Sequence, residues 1–110
     1  MKQCPAKIGD VPVMAWAILG PEVRPTGNTT HSVNGLALGP ANGVAIGQAT
    51  DGGGFYLFYC DSDWNALTDT WHQTVDQAKA QAEFEYEGIH SQWNENAERS
   101  GAPGDATPAG

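Results

Sequence analysis

The clearest alternation of apolar and polar positions runs from Phe55 to Gly88. Phe55-Tyr-Leu-Phe-Tyr-Cys60 places six large residues in succession, which leaves no solvent face and predicts a central strand paired on both sides. Asp61 to Asn65 makes a polar turn. Ala66 to His72 then alternates, with Leu67, Asp69 and Trp71 on one face and Thr68, Thr70 and His72 on the other. Asp69 is the odd member, a carboxylate in an apolar row. Thr74-Val-Asp-Gln77 matches a capping box, so a helix is expected to start there. Val75, Ala78, Ala82, Tyr86 and Ile89 recur on one helical stripe, the side expected to lie on the sheet, while Phe84 points the opposite way. Gly88 is placed to end the helix in left-handed backbone.

Towards the N-terminus the pattern is weaker. Val11 to Leu19 reads as a strand between Asp10 and Gly20-Pro21, although Ala15 and Ala17 suit a helix too. Residues 20–30 carry Pro21, Pro25 and Gly27-Asn28 and read as a long, mobile loop. Asn34-Gly35, between His31-Ser-Val33 and Leu36-Ala-Leu38, supplies the positive φ pair of a type I′ hairpin. Val44 to Ala49 reads as a short strand, with Gly39-Pro40 able to open a helical turn before it. Residues 94–110 are polar and low in apolar content, a flexible tail expected to be disordered from Ser100.

Together these elements predict a single α+β domain over residues 1–93: an antiparallel, largely meandering sheet of about five strands with one C-terminal helix packed on it. A length of 110 residues and 14 glycines agree with one core and many tight turns. No apolar run is long enough to span a bilayer, and none has the flanks of a signal peptide, so a cytoplasmic location is expected. Cys4 and Cys60 form no CxxC or zinc-type spacing and read as reduced thiols, with a disulfide between them left open.

Charge changes the picture most. Residues 1–50 sum to +1 and residues 51–110 to −9, making the net −8. Such a surface repels phosphate backbones and anionic lipid, which argues against nucleic acid and membrane as partners and favours a basic protein. The plainer account is that the acids keep a small domain soluble.

Candidate chemistry is thin. Asp61-Ser-Asp63-Trp-Asn65 begins like a calcium loop, but Ala66 and His72 stand where the turn glycine and the bidentate glutamate belong. Asp69 and His72, with Tyr56 or Tyr59 beside them, could be drawn as an acid/base pair, yet no nucleophile elbow accompanies them. His31 and His90 belong to no metal-ligand spacing; no metal, cofactor or catalytic residue is expected. Among the four tryptophans, Trp71 reads as core, and Trp64 at the turn is either folded onto the sheet or presented to a partner.

The segment FYLFYCDSDWNALTDTWHQTVDQAKAQAEFEYEG resembles the C-terminal strand-strand-helix unit of small bacterial proteins of unknown function. Several of these are similar in size and acidity to the immunity proteins of bacterial toxin systems. The resemblance rests on the aromatic strand, the TDTWH strand end and the AKAQAEFEYEG helix, and implies an α+β domain with no established activity. The expectation is therefore a non-enzymatic, acidic protein-binding domain, of the kind an immunity-type inhibitor would be, meeting a basic partner. Asp61, Asp63, Trp64, Glu83, Phe84 and Glu87 are its candidate contact residues. The alternative is a small-ligand or calcium-binding domain using the Asp61–Asn65 turn. Self-association through a strand edge or Phe84 stays open.

Overall fold

The computed structural model describes residues 1–27, 32–33, 36–37, 41–50 and 53–95. Among them one six-stranded antiparallel sheet, curled into a half-barrel, carries a single long helix. In chain order the strands are β1 (Lys7–Ile8), β2 (Val11–Ile18), β3 (Arg24–Pro25), β4 (Ser32–Val33), β5 (Leu36–Ala37), β6 (Gly43–Gln48), β7 (Phe55–Cys60), β8 (Ala66–His72), β9 (Tyr86–Glu87) and β10 (Asn94–Glu95), with helix α1 at Val75–Glu85. The main sheet runs β1-β2-β6-β7-β8, with β10 also on β2. Six consecutive large residues hold β7 between β6 and β8, because both of its faces are covered along most of its length.

Between β2 and β6 the chain leaves the sheet and returns. Leu19 N–H donates to the Asn42 carbonyl at 3.0 Å, so the excursion closes where it opened. The loop read at residues 20–30 is partly ordered by pairing: β3 lies antiparallel to β9, and Val23 enters the core. Strands β4 and β5 pair Val33 with Leu36, as a two-residue hairpin requires. Asn34, Gly35, His31, Gly39 and Pro40, with the readings made of them, lie outside the described residues. So does the tail beyond residue 95, whereas Asn94 and Glu95 pair with Trp16 and Ala15.

The register of β2 shifts between Val13 and Ala15, opposite Gly47 and Ile46, which makes Met14 the extra residue of a bulge. Val11 and Val13 therefore face away from the helix while Ala15 and Ala17 face it. Under α1 lie Ala15, Ala17, Val44, Ile46, Leu57 and Tyr59, met by Ala78, Ala82, Tyr86 and Ile89. The alanines bring helix and sheet close. On the opposite face Val13, Ala45, Phe58 and Cys60 are covered by Cys4 and Trp64. Full burial of either half of this core is worth about 1.5–3 kcal/mol per large side chain.

Thr74 caps α1 through Gln77 N–H to Thr74 Oγ1 at 3.0 Å. Gln77 Oε1 reaches back to the amide of Gln73 at 3.1 Å, one residue before the amide a capping box predicts. At the other end the helix stops at Glu85, earlier than Gly88, because Tyr86 takes extended backbone to pair with β3. Thr26 accounts for the free carbonyls there: its N–H donates to Glu85 O at 2.8 Å and its hydroxyl to Phe84 O at 2.8 Å. Gly88, in left-handed backbone, instead opens the 3-10 turn Ile89–Ser91. Lys79 then clamps β10 to the helix, its ammonium 2.5 Å from Glu95 Oε2 and 5.7 Å from the centre of the Trp93 ring.

Candidate functional site

The turn Asp61–Asn65 is held by one carboxylate. Asp61 Oδ1 accepts from the amides of Asp63 and Asn65, each at 2.9 Å, and Oδ2 accepts from Asn65 Nδ2 at 3.1 Å. Those bonds, the Asn65 amide first, hold the Asp61 carboxyl below its ordinary range. Both oxygens are thus turned onto the turn itself, Oδ1 onto its backbone and Oδ2 onto the Asn65 side chain, the usual work of Asp in a turn. Among the described residues, no group of three or more His, Cys, Asp or Glu is placed to hold a metal ion.

Of the two positions open to Trp64, the structure has the folded-down one. Its ring is 6% exposed, seated over Gly43 and edge-on to Trp16 at 5.8 Å, and Nε1 donates to Lys2 O at 2.7 Å. Trp64 is also the one non-glycine residue with positive φ, at 65°, among the described residues. Backbone strain of about 1–3 kcal/mol is offset by burying the indole. As an anchor for a partner Trp64 is therefore corrected: it holds the N-terminal segment down. Trp71 is corrected the other way, because β8 is the last strand of the sheet and no described residue covers its outer row; Trp71 is 52% and Leu67 44% exposed.

The six candidate contact residues do not form one patch. Trp64 packs on the sheet face away from α1, and Phe84, 53% exposed, lies on the solvent side of α1. Asp61 and Asp63 go with the turn. Glu83 and Glu87 go with Phe84, but Glu87 stands opposite Arg24 in the β3–β9 ladder, where a cation offsets it. Trp93 does not cover Phe84; it packs beside Lys79.

Asp69 and His72 are separated by the sheet. Asp69 points to the face away from α1 and pairs across β7 with Phe58, while His72 faces the helix, half-buried, with Nε2 2.7 Å from Thr70 Oγ1. Desolvation lowers the His72 pKa from its ordinary value, and the neighbouring Glu85 opposes that shift.

Glu85 is the residue that periodicity missed. It lies on the buried side of α1, 4% exposed, and its Oε2 accepts from the Tyr59 phenol and from Gln81 Nε2 at 2.7 Å. Burial first, then this bond to Glu85, hold the Tyr59 phenol far above its ordinary range. Tyr86 is raised too, mainly by burial, and its hydroxyl accepts from Ala41 N–H at 3.3 Å. The available signal was Gln81 and Glu85, four apart, flanking the stripe of Ala78 and Ala82.

Beyond the turn, on the face away from α1, an open groove of about 780 Å³ runs between Lys7, Ile8 and Val11 on one side and Phe58, Asn65 and Ala66 on the other. The described residues 53–95 carry eight carboxylates, all but Glu85 at least partly at the surface, against Lys79 alone, which is already paired with Glu95. No described helix is long and apolar enough to cross a membrane. Comparison with protein-family models, with curated proteins and with solved structures finds no significant match to this chain.

Proposed function

We propose that the protein is a non-enzymatic acidic binding domain that engages a basic protein, in the manner of an immunity-type inhibitor. One observation carries the reading: seven of the eight carboxylates in residues 53–95 lie at least partly at the surface, and the single cation among them is internally neutralised. A net negative field of this kind steers a basic partner and sets specificity more than it adds affinity. Phe84, exposed beside Glu83, supplies an aromatic contact within that field.

The test compares immobilised wild-type protein with a variant carrying Asp63→Lys, Asp76→Lys, Glu83→Lys and Glu87→Lys. Asp61 is left intact because it holds its own turn. A basic protein retained by the wild type, released by salt and lost from the variant is the expected result; addition of the domain should block that protein's activity stoichiometrically. A partner held equally by both overturns the reading.

A further inference from the structure

We propose that Asp69 and Trp71, on the sheet face away from α1, form the docking site for an arginine side chain of the protein partner. The proposal rests on the reading above only for the partner being a protein. Two residues apart on β8, the side chains stand on one face about 7 Å from each other. The indole of Trp71 is exposed yet fixed. It lies against Gly54, where an added Cβ would come within 2.3–2.5 Å of its ring atoms, and Nε1 donates to Gly53 O at 3.3 Å. One ring face is thereby seated on the protein, and the rest of the 52% exposed ring is presented to solvent.

Asp69 completes the site. It is exposed, it stands across from Phe58, and Leu67 and Trp71 flank it along the strand. Among the described residues its carboxylate makes no ion pair and no hydrogen bond. A carboxylate framed by apolar side chains beside a rigid indole matches a guanidinium, which can bond the carboxylate through two N–H groups while its plane stacks on the ring. A lysine ammonium satisfies only the first requirement. The groove that starts at Phe58 and Ala66 gives the rest of the arginine-bearing segment a place to lie. A second copy of the chain is a poor occupant, since it carries a net charge of −8 itself and supplies no more than two arginines to pair with Asp69.

Amide and indole resonances of the ¹⁵N-labelled protein, titrated with the capped tripeptides Val-Arg-Val and Val-Lys-Val, test this. Shifts concentrated on Phe58, Leu67–Trp71 and the Trp71 indole are expected with the arginine peptide. Binding should weaken by about tenfold in Asp69→Asn, the loss expected of a charge-assisted pair, and stay unchanged in Glu22→Gln, an exposed carboxylate outside the binding field. The proposal is overturned by an absence of shifts up to the peptide's solubility limit, by equal response to the lysine peptide, or by unaltered binding to Asp69→Asn. Concentration-dependent shifts of the same resonances without peptide would overturn it in favour of self-association. If the tripeptide result holds but no basic protein is retained in the capture experiment, the arginine site stands and the partner reading falls. A captured partner indifferent to Asp69→Asn means the converse.

Discussion

Tyr59 and Glu85 join the sheet to the helix by a hydrogen bond made inside the core, the phenol donating to the carboxyl oxygen that also accepts from Gln81. Every other buried side chain that the described residues bring to this interface is apolar, apart from the second phenol, Tyr86. The bond therefore specifies where along β7 the end of α1 sits, something alanine contacts alone do only loosely.

Tyr59→Phe leaves the volume filled and removes the donor, so Glu85 keeps its burial with one partner fewer. Urea unfolding should show a loss of about 1–3 kcal/mol. Combined with Glu85→Gln in a double-mutant cycle, the two costs should fall short of additive by a measurable coupling.

The helix start is expected to depend on Thr74. Thr74→Ala removes the acceptor for the Gln77 amide and should cost about 1 kcal/mol in chemical denaturation, while Thr74→Ser or Thr74→Asp keeps most of the stability.

Gly54 and Trp71 form a second linked pair. Gly54 has φ 86°, and a methyl group there would overlap the indole, so Gly54→Ala should destabilise by about 1–3 kcal/mol and displace Trp71. Measured on a Trp71→Leu background the penalty should shrink to the backbone part alone. An equal penalty in both backgrounds would show that the ring is not seated on Gly54.

His72 predicts a pH dependence. Its folded pKa lies below the ordinary 6.5, so as the pH falls past 6.5 the unfolded chain takes up the proton first. This contribution to stability is whole above 6.5 and declines towards the lowered folded value. His72→Gln should flatten that part of the melting-temperature profile against the wild type.

The elements legible in the sequence were those whose local signals agreed. The aromatic run of β7, the alternation of β8 and the Thr74 cap each appear with the residues predicted, as does the α+β arrangement of a mainly meandering sheet and one helix. What was illegible depended on partners distant in the chain. Met14's bulge exchanges the faces of β2, and only its pairing with β6 reveals it. Trp71 left its expected place in the core because a period of two assigns a face, not a cover: among the described residues none covers the row of β8, whereas Trp64, open to two positions, is covered by the N-terminal segment. Glu85, charged by composition, reads as surface until Tyr59 is seen beneath it. The helix ended early for a similar reason, since β3 offered Tyr86 a strand partner 61 residues away, at Pro25.

Leu19 and Asn42 meet in a backbone hydrogen bond, and this makes the intervening segment topologically dispensable to the sheet. A chain that left β2 and entered β6 through a short turn would preserve every rung between those two strands. The half-barrel with its helix is thus a chassis, and the described part of the excursion, residues 20–27, an accessory fastened to it at the helix end. Related chains built on the same chassis should differ most in the length and composition of that accessory, which grips the helix end through Val23 and Thr26 and so can vary without disturbing the strands themselves.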